Sequence, residues 1–219
     1  MNSNVQKSVN RRNFVKTSAG LVAGITLMPA ISFADENNYA DEINIIGPIQ
    51  GYSPQIGTFI SMLKWMRETV IGASEGLTTG ELDFLIDPKA NTIGAMLLHL
   101  AATEVIYQDL TFHGLKGFSD ENKKKWNVPM SLGEEGRKQI KGHSLDYYLS
   151  ELKAVREKSL AEFKKRDDKW LAEVDPHFFG NMPTNNYCKW FHVCEHEANH
   201  RGQITLVKKR IPGKKSGGD

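Results

Sequence analysis

The chain is 219 residues long, with 28 lysines and arginines against 26 aspartates and glutamates, a formal charge of +2, and 40% hydrophobic residues. That length suits one ordinary domain, and the balance excludes a disordered acidic tail, a collagen-like fibre and a nucleic-acid grip built on bulk charge. Two cysteines are too few for a disulfide framework.

The chain opens with a segment that does not belong to the fold. Residues 10–16 read Asn-Arg-Arg-Asn-Phe-Val-Lys, a close match to the twin-arginine export pattern. The mild apolar stretch from Thr17 to Met28 is too short to span a bilayer, which takes about 20 predominantly apolar residues. Ser32-Phe33-Ala34 supplies the small residues of a signal-peptidase site, so cleavage is expected after Ala34. This implies a periplasmic bacterial protein, exported by the twin-arginine route, with no stable membrane insertion once cut. Loss of Lys7, Arg11, Arg12 and Lys16 leaves 24 basic and 26 acidic residues, a net −2. A slightly acidic mature chain is a poor polyanion binder, and no nucleic-acid partner is expected.

After an N-terminal extension over residues 35–50, four amphipathic helices are predicted within residues 51–211, followed by a flexible tail over 212–219. Ser53-Pro54 starts the first helix, whose stripe of Ile56, Phe59, Ile60, Leu63, Met66 and Val70 runs to about residue 73. Asn91-Thr92 opens the second, which carries Ile93, Met96, Leu97, Leu100, Tyr107 and Leu110 and ends near His113-Gly114. Ser144 caps the third, with Tyr148, Leu152, Val155 and Phe163 on its apolar face. The fourth runs from about Asn186 to Lys209 and stops before Pro212-Gly213. No segment shows sustained strand alternation. The fold class is therefore all-α, a four-helix bundle. Its connection over 115–143 is long, which suits a crossover between parallel helices, a lid over a site, or both. Cys188 and Cys194 lie six residues apart on the fourth helix, a rise of about 9 Å that forbids a mutual disulfide; both read as buried thiols.

The chemistry concentrates in the second and fourth helices. His196 and His200 are spaced i, i+4, so their imidazoles project from one face about 6 Å apart and can reach one metal ion. A pair of this kind needs a third ligand from a facing helix, and His99, on the apolar stripe of the second helix, is the best-placed residue. His192 lies one turn further back and falls at the margin. The string His196-Glu197-Ala198-Asn199-His200 also matches the zinc-protease pattern H-E-x-x-H, with Glu197 as base. That reading lacks its usual downstream ligand: residues after His200 hold no histidine or glutamate, and their sole aspartate is Asp219.

Two segments carry a family likeness: Thr92-Ile93-Gly94-Ala95-Met96-Leu97-Leu98-His99-Leu100-Ala101-Ala102-Thr103-Glu104, and His192 to Ile204 with its closing His200-Arg201-Gly202-Gln203-Ile204. Over residues 50–210 the chain resembles the DinB/YfiT-like superfamily of four-helix bundles with a metal-binding histidine triad. The resemblance implies His99, His196 and His200 as ligands of one divalent ion, zinc or nickel first, with iron or manganese also compatible with nitrogen ligands. Gln203, Glu104 and Tyr107 are candidates for a supporting or substrate-pocket role beside His192 and Glu197; Glu104 and Tyr107 could approach from the open end of the bundle, but packing or support of a ligand is the favoured role for each of the three. Three imidazoles leave coordination positions open, as catalytic sites do. The leading expectation is thus an exported metal-dependent enzyme acting on a small molecule, of transferase, isomerase or hydrolase type. The alternatives are a non-catalytic periplasmic metal- or ligand-binding bundle and, behind it, an H-E-x-x-H metalloprotease. A homodimer is compatible with either of the first two.

Overall fold

The computed structural model describes residues 42–214; the leader, its twin arginines and the cleavage point after Ala34 lie outside the described residues, as do 215–219. Four long helices form the frame: α1 (Pro54–Ser74), α3 (Ile93–Tyr107), α6 (Leu145–Phe163) and α8 (Asn186–Lys208). Between them lie the short helices α2 (Thr79–Leu82), α4 (Asp120–Ser131), α5 (Gly133–Gln139) and α7 (Asp168–Ala172). Among the described residues, no helix is long and apolar enough to cross a membrane.

The caps explain where the long helices begin. Thr92 accepts from the Ala95 amide and Ser144 from that of Tyr147, each closing an orphan donor of the first turn. Ser53 behaves differently from the sequence expectation. Its hydroxyl donates to Asp168 on α7, and that carboxylate accepts from the Gln55 and Ile56 amides at 3.1 Å each. The cap of α1 is supplied by a distant carboxylate, which also ties α7 to the frame.

Side-chain pairs fix the helix directions. Arg67 reaches the Leu152 carbonyl and Arg156 that of Leu63, so α1 and α6 run antiparallel. Gly94 meets Tyr148 while Gln108 meets Ser159, so α3 and α6 run parallel. His99 faces His200 and Thr111 faces Trp190, so α3 and α8 are antiparallel. Phe59 lies on Tyr187 and Arg67 on Glu197, so α1 and α8 are parallel. The ring order is α1–α6–α3–α8, and each helix has one parallel and one antiparallel neighbour.

Parallel α3 and α6 demand a crossover, and residues 115–143 provide it as α4 and α5. The crossover does more than connect. Helix α3 is buried at every position except Ile106, not along one stripe, and a helix apolar all round needs cover on all sides. Helix α4 supplies the missing side through Trp126 and Pro129, both buried. The helix α3 continues into a π-helical turn, Gln108–Phe112, after which the buried Asp109 accepts from the Ser119 amide and Asn122 side chain at the start of α4.

Two details depart from the sequence reading. A two-residue antiparallel ladder, Val174–Asp175 against Thr184–Asn185, fastens the loop entering α8, too short to show as alternation. The cysteines are free, but only Cys194 is buried; Cys188 is exposed. Six residues turn a helix by about 120° from the starting direction, so the two thiols cannot share the inner face. Burial pushes the Cys194 thiol up to about 11.

Candidate metal centre

His99 on α3 meets His196 and His200 on α8. One ring nitrogen from each of the three lies within 4.8 Å of the other two, an arrangement that could hold a metal ion. His99 is pinned first: its Nδ1 sits 2.9 Å from the Pro129 carbonyl. A carbonyl only accepts, so Nδ1 carries the proton and Nε2 presents a bare lone pair. That carbonyl belongs to the last turn of α4 (Asp120–Ser131), where helical carbonyls have no partner in their own helix. The crossover thus orients the histidine it covers, the usual arrangement for a metal-binding imidazole.

His99 Nε2 lies 3.0 Å from His196 Nε2. Two nitrogens each bound at about 2.0–2.1 Å to one ion stand about 3 Å apart at near-right angles, so the pair fits a shared cation without rearranging the helices. His200 is buried, and its Nδ1 has no hydrogen-bond partner among the described residues. The electrostatics point the same way. Burial lowers the basicity of His99 against the opposing pull of the Pro129 and Met130 carbonyls. Burial, then its histidine neighbours, brings His196 down to about 3. His200 falls to about 4 through burial and His99, with Gln203 opposing. All three are neutral at pH 7, the state in which imidazole donates to a metal.

The surrounding candidates separate. His192 stacks near Tyr107 at 5.8 Å and Phe179 at 5.5 Å, with His196 at 5.4 Å, and stays outside the three-nitrogen cluster. Gln203 is exposed on α8, one turn past His200. Tyr107 is a packing residue, edged by Trp190 at 6.3 Å, and does not reach the site from an open end.

Glu104 and Glu197 take a structural role. Both are fully buried, in a network built from one residue of each long helix. Arg67 of α1 bonds Glu104 Oε2 at 2.9 Å and Glu197 Oε1 at 2.6 Å. Arg156 of α6 bonds Glu104 Oε1 at 2.7 Å and Glu197 Oε1 at 2.6 Å. Ser159 donates to Glu104 at 2.6 Å and accepts from Gln108 at 2.8 Å. With an oxygen held by two guanidiniums, Glu197 is not placed as a protease base. Sequence reasoning missed Arg67, Arg156 and the Pro129 carbonyl. The arginines did leave a signal: each lies four residues past a core leucine, Leu63 or Leu152, where a charge is out of place.

Fold and cluster together define a DinB-like helical bundle able to hold a metal through three histidines. Residues 58–213 match the family model of mycothiol-S-transferase, and the chain belongs to that family. A conserved protein of known structure from Enterococcus faecalis shares the fold at TM-score 0.57 and 12% identity, over 71% of this chain and 96% of that one. A Streptococcus pneumoniae protein does so at 0.55 and 17%, over 71% and 91%. A DinB-like protein from Bacillus cereus ATCC 10987 aligns at 20% identity over 72% and 96%, with a TM-score of 0.49. No curated protein matches the chain.

Proposed function

We propose that this chain is a metal-dependent transferase that activates a small thiol for attack on a small electrophilic molecule, with His99, His196 and His200 as the ligands of one divalent ion. The observation that carries the reading is the three neutral imidazoles converging from α3 and α8, with His99 held in its ligand tautomer by Pro129. A divalent ion held there supplies Lewis acidity and lowers the pKa of a thiol or water at its open position. The chain's own part is to fix three nitrogens and exclude competing donors. Glu104 and Glu197, the buried carboxylates nearest the histidines in sequence, are locked between arginines, which disfavours hydrolysis by a carboxylate base. Transfer of a thiol needs no such base once its proton is lost. The family name supports the thiol as nucleophile, and mycothiol itself is the first substrate to try. Export is part of the proposal, resting on Arg11-Arg12 and Ser32-Phe33-Ala34, and it sets the reaction in the periplasm.

The test is elemental analysis of tag-free protein followed by thiol transfer to a chlorinated fluorogenic acceptor. Wild type should carry one ion, and a chelator should abolish transfer. His99→Ala should lose both metal and activity, whereas His192→Ala should keep its metal, with at most a 10- to 100-fold loss of affinity, roughly the ceiling for a residue outside the coordinating set. Full occupancy in His99→Ala, or transfer indifferent to chelator, would refute the site.

A further inference from the structure

The edge of the bundle opposite the histidines, between α1 and α6, is not closed. A cavity of about 450 Å³ lies there, walled by Ile60, Ile71, Leu149 and Leu160 and lined also by Arg67 and Arg156. That volume is within the range of small-molecule sites, about 300–1,000 Å³, and apolar walls with a few convergent polar groups are their usual make-up.

The polar groups here are unusual in being buried and incompletely used. Arg67 is 6% and Arg156 8% exposed. A guanidinium has five N–H donors. Arg67 commits Nε to Glu197, Nη2 to Glu104 and Glu197, and Nη1 to the Leu152 carbonyl. One Nη1 hydrogen is left over among the described residues. Arg156 commits Nε to Glu104, Nη1 to the Leu63 carbonyl and Nη2 to Glu197, which leaves one hydrogen on each terminal nitrogen. Each Nη1 atom reaches across to the backbone of the facing helix, and both arginines line the cavity that the two helices flank. Buried donors without partners are costly, and a ligand acceptor would satisfy them.

The chemistry of that acceptor follows from charge. The two buried arginines and two glutamates cancel, and so do the exposed Lys64, Lys153, Glu68 and Glu157 that also line the cavity, so an incoming carboxylate finds no net positive field and meets Glu104 and Glu197 behind the guanidiniums. An uncharged carbonyl oxygen accepts the same hydrogens without that repulsion. We propose that the α1–α6 cleft is a second binding site, separate from the histidine cluster, for a small uncharged apolar molecule bearing a carbonyl oxygen.

An uncharged dimethylamino-naphthalene ethyl ketone, whose emission moves to the blue on leaving water, serves as the probe. It is titrated into the full chain in the presence of chelator, so that metal coordination contributes nothing. Saturable blue-shifted binding is expected. Ile71→Trp, at a half-buried wall position, should fill the cleft and abolish binding while leaving helical content and metal binding unchanged. Arg156→Lys, which keeps the charge and loses the spare hydrogens, should weaken binding about tenfold, the loss of one hydrogen bond of about 1.4 kcal/mol. Competition separates the head groups: acetonaphthone should displace the dye, with ethylnaphthalene and naphthoate each about tenfold weaker. Dye binding that survives Ile71→Trp, or displacement by the hydrocarbon as effective as by the ketone, would overturn the site. Tighter displacement by naphthoate would overturn the uncharged head.

Discussion

Glu197 shows what a residue's neighbours in sequence conceal. It lies between two metal-ligand candidates, yet successive helical side chains turn by about 100°. When His196 and His200 face α3, Glu197 therefore looks inward to Arg67 and Arg156. An ion pair so deeply buried contributes little net stability compared with apolar packing, because both partners lose their hydration. Removing one partner is another matter, since the charges left behind stay buried. Glu197→Gln keeps the shape and leaves two guanidiniums sharing Glu104 alone. We expect urea denaturation to show a loss of about 3–5 kcal/mol, with one metal ion still bound to the folded fraction. Wild-type stability in this variant would show that the network is not what holds the four helices together at that level.

At the scale of the element, α3 carries one of the two closest glycine contacts, the other being Gly57 of α1 against Ile49. A Cβ built on Gly94 would stand 2.6 Å from the Tyr148 ring carbon and hydroxyl of α6, so the glycine is needed for the two parallel helices to approach. Alanine favours a helix over glycine by about 1 kcal/mol, and at an exposed position Gly→Ala would stabilise. Here the clash prevails: Gly94→Ala should destabilise by about 1–3 kcal/mol in thermal or urea unfolding, and Tyr148→Leu in the same chain should recover part of the loss. The long helices were legible in the sequence because their apolar residues recur at helical spacing and Thr92 and Ser144 sit at their caps. The histidine triad was legible from the i, i+4 pair and from His99 on the facing stripe. What was not legible depended on tertiary contact. Asp168 caps α1 from more than a hundred residues away. The Pro129 carbonyl has no side-chain signature at all. Glu104 and Glu197 stayed open between a packing and a pocket role because nothing local shows that Arg67 and Arg156 arrive between them. Core-facing arginines on two other helices were the available clue.

The network that joins one side chain from each long helix also sets how the whole molecule should respond to acid. Burial pushes the Glu104 carboxyl up, but Arg156 and Arg67 with their hydrogen bonds, and Ser159, outweigh it and hold Glu104 below the usual carboxylate range. A carboxylate depressed in the folded state binds protons more readily when unfolded, so its contribution is fully present above its unfolded pKa, about 4.3 for glutamate, and is lost as pH falls below that value. The histidines, depressed in the same sense, begin to withdraw stability at higher pH in metal-free protein, below about 6.5. Comparing two chains that carry the same histidines isolates the carboxylate. Urea unfolding of chelator-treated wild type and Glu104→Gln, at intervals from pH 7 to pH 3, should give a wild type that is about 3–5 kcal/mol more stable at pH 7. The difference should hold down to about pH 4.5 and then narrow, since protonation does to Glu104 what the amide substitution does permanently. Curves that stay parallel across the whole range would mean that Glu104 binds protons equally in the folded and unfolded chain, and would contradict a neutral four-residue network with Glu104 as its most deeply buried anion.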